Sequence, residues 1–579
     1  MTVIFERHFE RTLERLVADF GSEQYRGAEL EAWVFEDMLA RRQAEEALAA
    51  FGVKARVRAA YKPLLTWFLD ADLSMIREIV VRYPVRPPAP DNRFLLEAYP
   101  LAALTGDLPL RFEPGSRKDL HYTVITTDVY SHVTETDVFA PNREHEDCIG
   151  QTLLSPTGWL RARLADGSLI DERLPTDFET LFAETMAAIA DYPWGDEEPY
   201  FDTLAISARL PARERRLGVG EEMLSLQEAL HEDFYFSLLE LFQKKAGKPL
   251  GDRTLRPGQI VPDIRDGAPW VKVETLAFRV EERRSIIQPL AQARAALDTA
   301  QIYAELAKVP GTEFEARSRM GRRIIARYHK GNDAPVILSG GQHPNETTAI
   351  VGALRAAQTL AGHRESHFFV TPLENPDGYA VQRTLSRANP FHMHHAARYT
   401  AQGNDIDYQF GDHVYEKNIR LVGLGLTDAK LHINLHGYPS HEWTRPLSGY
   451  VPRGFELWTL PKGFFLVMRH HRDWADFARR LMREVTGRLA DVPGLRELND
   501  AQIKLYEIHA GATGFEIIEG FPCMISVDER HEEPLTLITE YPDETIYGEA
   551  FVAGHTAQEA LTLAAYDVYQ ELLRDKGTV

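Results

Sequence analysis

Cysteine is almost absent from this chain: Cys148 and Cys523 are the only two among 579 residues. Two thiols so far apart in sequence exclude a disulfide framework and a cysteine-rich zinc site. Long apolar runs are also missing, and no stretch of about 18 such residues is there to span a bilayer. The opening "MTVIFERHFERTLERL" carries charges throughout and lacks the apolar region of a secretory signal. These absences together give the expectation of a cytoplasmic protein. Basic charge is in deficit, with 65 Lys and Arg against 86 Asp and Glu and a formal net charge of −21. That balance argues against a nucleic-acid or anionic-membrane partner, because phosphate binding needs a basic footprint. A basic or neutral substrate fits the balance better.

The length makes two or three domains the prior. Residues 4–85 read as helices: "FERTLERLVADFG" and "AELEAWVFEDMLARRQAEEALAAFG" repeat apolar residues every three or four positions and stop at Gly21 and Gly52. The proline-rich "YPVRPPAPDNR" then reads as a linker, closing a helical segment over 1–93. Residues 94–285 mix a strand-like "HYTVITTDVYSHVTETDVFA" with two helical stretches and read as an α+β domain to which no motif assigns a role.

From residue 286 the pattern changes. A long helix over 288–308 is expected, followed by the strands in "RRIIARYHKGNDAPVILSGG", a helix over 346–361 and the strands "HFFVTPL" and "LHINLHG". Strands alternating with helices indicate an α/β domain over 286–579 with a largely parallel sheet. Active sites in such sheets lie beyond the carboxyl ends of the strands.

The spacing H-x-x-E occurs three times, at His132/Glu135, His343/Glu346 and His413/Glu416. Only the middle pair follows an apolar strand and a Gly-Gly turn and leads into an amphipathic helix. A third ligand type arrives at the end of another strand, where "LHINLHGYPS" places His436 before Gly437 and Tyr438. Two imidazoles and one carboxylate form the ligand set of a catalytic zinc that keeps one position open. His432 competes for the third place, but strand alternation puts it deeper on the same face, as a packed histidine. A general base is then needed, and "EEPLTLITEYPDET" is an apolar strand ending in Glu540. The histidines of "FHMHH" (His392, His394, His395) read as an exposed polar loop rather than a second metal site.

Four motifs in order, "HPNE" (343–346), "NPDGY" (375–379), "HGY" (436–438) and "TLITEYP" (536–542), give residues 290–570 a clear resemblance to the M14 zinc carboxypeptidases. The resemblance implies a mixed, largely parallel eight-stranded sheet flanked by helices. It implies one zinc on His343, Glu346 and His436, with Glu540 as general base or acid. It also implies an arginine after "NPDGY" that steadies the oxyanion, for which Arg387 is the choice and Arg383 the alternate. Tyr506, in "LYEIHAGATG", corresponds loosely to a tyrosine that closes over the substrate.

One departure stands out. The family clamps a terminal carboxylate with an Asn-Arg pair, and here "GNDIDYQF" (403–410) puts Asp407 and Tyr408 in those places. A carboxylate facing a carboxylate repels it, so either another arginine (Arg383, Arg387, Arg398 or Arg445) restores the clamp or the substrate lacks a free α-carboxylate there. Asp407, Tyr438, Tyr506 and Arg383 are the substrate-binding candidates. The resemblance implies a zinc metallocarboxypeptidase, hydrolysing an amide bond in a peptide or acylated amino acid. The alternatives are an M14-like deacylase of the succinylglutamate desuccinylase type and a non-catalytic zinc-binding, peptide-recognition protein.

Overall fold

Residues 1–93 alternate between strand and helix rather than forming a helical segment. Strands Thr2–His8, Glu29–Val34, Lys54–Ala59 and Ile76–Tyr83 are separated by helices Thr12–Phe20, Met38–Ala49 and Pro63–Asp70. The reason is visible in "ELEAWV": Leu30, Ala32 and Val34 are buried while Glu29 is exposed, the two-residue period of a strand. The helical reading ran through the boundary at Asp37, whose side chain accepts from the Leu39 and Ala40 amides and starts the next helix. The expected helix over 288–308 is a 3-10 turn at Leu290–Gln292 and a separate helix Thr299–Leu306 begun by Asp298.

The computed structural model describes residues 1–116, 119–278 and 286–576. Pairing crosses the expected boundary at residue 93: Thr2–His8 runs antiparallel to Trp270–Leu276 in one four-stranded sheet, and Glu29–Val34 antiparallel to Trp159–Arg163 in another. The expected boundary at 285/286 adjoins residues 279–285, which lie outside the described residues. Among the described residues no helix is long and apolar enough to cross a membrane.

The C-terminal half is built on a mixed sheet. Nine strands lie side by side in the order 312–317, 323–329, 368–371, 336–340, 431–435, 535–544, 465–470, 521–527, 516–518, and a tenth, Gly437–Pro439, pairs with the end of Leu535–Glu544. Ten strands among the described residues replace the expected eight, and the parallel run is confined to the centre, where 368–371, 336–340, 431–435 and 535–544 run parallel. The flanks add antiparallel pairs, with one further parallel pair between 465–470 and 521–527. Helices Thr347–Leu360, Ala475–Leu489 and Glu549–Lys576 cover one face through a large apolar core, and helix Asn418–Thr427 packs on the other. Both faces being covered explains why the central strands read as continuous apolar runs.

Helix Leu226–Lys245 joins the two halves. Its Glu228, Glu232, Asp233 and Glu240 are buried, facing the loops of the C-terminal half. Glu228 accepts from the Met393 amide and pairs with His441 (2.8 Å), Glu232 pairs with His395 (2.6 Å), and Glu240 with Arg445 (2.8 Å).

Candidate metal centre

Three side chains meet beyond the carboxyl ends of the central strands. After Val336–Gly340 the chain turns at Gly341, whose φ of +63° lies in the left-handed region that favours glycine. That turn delivers His343 and, three residues on, Glu346 at the start of helix Thr347–Leu360. Glu346 occupies the N-cap position but makes no cap bond. Its carboxylate turns instead to the rings, with Oε1 3.1 Å from His343 Nδ1 and Oε2 2.9 Å from His436 Nδ1. The helix start is capped from another strand: Asp543 Oδ2 accepts from the Thr348 amide (2.8 Å) and hydroxyl (2.6 Å).

His436 sits at the end of Leu431–Leu435. Its amide donates to Thr539 Oγ1 at 2.8 Å, and Gln558 donates to its carbonyl at 2.7 Å. Gly437 must be glycine, since a Cβ there would lie 2.0 Å from Asp543 Oδ1 and 2.8 Å from the Tyr541 carbonyl. Its amide donates to Glu346 Oε2 at 3.1 Å, fixing the carboxylate from below.

These donors fit a zinc ion. One ligand atom from each of His343, Glu346 and His436 lies within 4.8 Å of the others, and this is the one such group of three among the described residues. The two Nδ1 atoms face each other at 3.0 Å, close to the separation of about 3.3 Å that a tetrahedral shell with bonds of about 2.0–2.1 Å requires. His343 Nε2 lies 3.3 Å from Asp405 Oδ2. A carboxylate behind the ring fixes the tautomer that leaves Nδ1 as the ligand, as second-shell partners of metal-bound histidines do. Although burial works against ionisation, the His343 and His436 rings hold Glu346 below the usual carboxylate range.

The cavity beside this cluster has a volume of about 330 Å³, within the range of small-molecule sites. Glu540 lines it, and burial together with the Glu346 charge pushes its carboxyl well above the usual range. A larger apolar cavity, between Tyr99 and Leu498 behind the Tyr541 strand, includes none of the three ligand side chains.

The remaining candidates divide. Tyr438 and Asp407 line the cavity. Asp407 is not free to read a cation, because Arg420 Nη1 donates to its Oδ1 at 2.6 Å. Tyr438 is anchored by donating to the Gly463 carbonyl and accepting from the Lys462 amide, both at 2.8 Å. Arg383 and Arg387 do not line the cavity: they lie on helix Pro376–Ala388, where Arg387 is exposed. Arg398 does line the cavity, with Nη1 2.9 Å from Glu346 Oε1. Tyr506 is buried elsewhere, in a cluster with Leu96, Tyr99 and Leu460 and against Lys462.

His432 is packed as expected, 2.6 Å from Ser339 Oγ. The "FHMHH" histidines are buried rather than exposed, and His392 and His395 pair with Glu214 and Glu232. Arg253, Arg469 and Arg530 also line the cavity. Arg253 had no signal in the sequence, because it lies upstream of every motif.

Residues 298–423 match the family model of the M14 peptidases, described as zinc carboxypeptidase, so the resemblance read from the motifs is borne out. Solved structures similar to this chain include a metallo-carboxypeptidase from Pseudomonas aeruginosa in complex with (2-guanidinoethylmercapto)succinic acid. It is 14% identical, with a TM-score of 0.28, and the match covers 47% of this chain and 68% of that one. A metallo-carboxypeptidase from Burkholderia cenocepacia is 14% identical over 52% of this chain and 76% of its own, with a TM-score of 0.28. A murein-tripeptide amidase from Escherichia coli O157 is 13% identical over 45% of this chain and 95% of its own, with a TM-score of 0.24. No curated protein matches the chain.

Proposed function

We propose that this chain, which carries the zinc carboxypeptidase signature over residues 298–423, is a zinc-dependent hydrolase of an amide bond in a peptide or acylated amino acid. The observation that supports this most strongly is the convergence of His343, Glu346 and His436 at the rim of a cavity that Glu540 also lines. One zinc per chain is the expected stoichiometry. When bound, zinc supplies Lewis-acid polarisation of the attacking water and of the scissile carbonyl.

The chain's own residues do the rest. Glu540, a carboxyl whose proton affinity is raised by burial, takes a proton from the attacking water. It later returns that proton to the leaving nitrogen. Arg398 replaces Arg387 in the expected oxyanion role, because its guanidinium lies beside Glu346 in the cavity. Asp405 orients His343 from behind, and Tyr438 forms one wall. The deacylase reading keeps a specific support, since Asp407 and Tyr408 stand where the peptidases carry Asn and Arg.

A panel of N-blocked dipeptides and N-acylated amino acids, each with free and amidated carboxyl groups, tests the reading with the zinc-loaded protein. Hydrolysis of at least one of them is expected, and the cleaved bond separates peptidase from deacylase. Zinc binding without turnover of any would overturn the enzymatic reading in favour of recognition alone.

A further inference from the structure

His395 is the one side chain of the "FHMHH" stretch that lines the cavity beside the metal cluster. It begins the 3-10 turn His395–Ala397, and Arg398 follows three residues on. Side chains three apart eclipse one another in that geometry. The turn that aims Arg398 at Glu346 therefore aims His395 towards the same cavity. The imidazole packs against Phe236 and Trp443, with ring centroids 4.9 and 4.7 Å away. Contacts with two rings hold its plane.

Glu232 holds the ring from the N-terminal half. Its Oε2 lies 2.6 Å from His395 Nδ1, and its side chain is fully buried on helix Leu226–Lys245. Nδ1 is thereby committed, and Nε2 is the polar atom left for the cavity; among the described residues no group bonds to it. The other carboxyl oxygen, Glu232 Oε1, is buried with no hydrogen bond, which a neutral carboxyl tolerates far better than a carboxylate. Burial and the Glu228 charge push this carboxyl well above its usual range, and burial pushes His395 down to about 4. The carboxyl keeps its proton and donates it to Nδ1, so the single N–H of the neutral ring falls on Nε2. That hydrogen stays on Nε2 even if the shared proton crosses to Nδ1.

We infer that His395, oriented by Glu232, donates from Nε2 to an oxygen acceptor of the substrate. Glu232 acts through the ring and is a positioning residue, which gives the N-terminal half a share in the site. The inference rests on the amide-hydrolase reading of the cavity and deepens it by naming a residue that holds the substrate. A carboxyl bonded to one nitrogen of an imidazole sets both the tautomer and the direction of the other nitrogen. The neighbouring Trp443 commits its Nε1–H to the Trp458 carbonyl at 3.0 Å, so the donor on that part of the wall is the imidazole. Amide and acyl carbonyls supply the acceptor it needs.

Calorimetric binding to the zinc-loaded full chain carrying Glu540→Gln, which prevents cleavage, tests this with acetyl-Ala-Ala and N-acetylalanine as probes. His395→Phe keeps an aromatic ring and removes its nitrogens. It is expected to weaken binding of at least one probe about fivefold or more, the size of an acceptor left unpaired, with zinc content unchanged. Glu232→Leu is expected to weaken binding by a similar factor. Glu232→Gln, whose amide can donate to Nδ1, is expected to stay within about twofold of the parent. Because Glu232 acts through the ring, Glu232→Leu should add no further loss once His395→Phe is in place, whereas a merely structural role would add its loss in both backgrounds. Unchanged affinity in His395→Phe, a Glu232→Leu loss that persists in full beside His395→Phe, a Glu232→Gln loss as large as that of His395→Phe, or no binding of either probe to the parent would overturn the inference. If Glu232→Leu fails to fold, His395→Phe and Glu232→Gln decide. Failure of the hydrolase reading is distinguishable: the Glu540-intact protein would turn over neither probe, while the binding differences stood.

Discussion

Glu346 and Glu540 are carboxyls of one site driven in opposite directions. Two imidazoles hold the first ionised, while burial and the charge of the first push the second well above the usual carboxylate range. Separation of this kind divides labour between a ligand and a proton carrier. Replacing Glu540 by Gln is therefore expected to leave zinc content and melting temperature near those of the parent while kcat falls about a hundredfold to ten-thousandfold. Steady-state kinetics with metal analysis on the same sample checks this, and near-normal turnover would mean that another group moves the proton. His343, Glu346 and His436 were legible because they follow strand ends beside a turn-forming Gly or Pro, where a short motif carries geometric information; Glu540 was read as the end of a strand that instead runs on to Glu544. Arg253 was not singled out, and Arg398 was named only as one of four arginines that could restore a carboxylate clamp: an arginine in an irregular stretch has no periodicity to betray which way it points.

At the scale of elements, the site depends on two strand ends fitting closely around the start of one helix. Gly437 has no room for a side chain beside Asp543, and Asp543 caps helix Thr347–Leu360 in place of Glu346. Gly437→Ala is thus expected to destabilise the fold by about 1–3 kcal/mol, the usual cost of overpacking, and to weaken zinc retention, because Asp543 and the Glu346 carboxylate must both shift. Thermal unfolding and zinc titration read the two effects, and a variant unchanged in both would show the contact to be soft. The central parallel strands were legible as apolar runs, whereas Glu29–Val34 was not. Its two-residue alternation is only six residues long and runs straight into a helix, so a three-to-four spacing fits across the join. On the flanks, the distant antiparallel pairing of Phe465–His470 with Leu535–Glu544 leaves no local trace. The hairpin strands Thr312–Arg317 and Glu516–Ile518 are short and carry too little apolar alternation to be read.

At the scale of the molecule, the N-terminal half grips the rim of the site through helix Leu226–Lys245. Carboxylates on a helix read as a solvated face, so the sequence hid this interface; each one is buried against a partner more than 150 residues away. The His441–Glu228 pair makes the grip sensitive to pH. Against the cost of burial, Glu228 raises His441 to about 9. A histidine raised on folding from its ordinary value of about 6.5 contributes stability that is full below that value and is lost as pH rises towards about 9, a contribution of about 3 kcal/mol. Unfolding midpoints measured from pH 6 to 10 should decline through that window, and His441→Gln should flatten the decline; an unchanged slope would place the titration elsewhere. The central claim is that the strand-end cluster is a zinc site, and metal analysis of the parent, His343→Ala and His436→Ala after equilibration with zinc and removal of the excess tests it most directly. One zinc per chain in the parent and its loss in both folded variants is the predicted result, and full retention in both, or no zinc in the parent, would contradict the account.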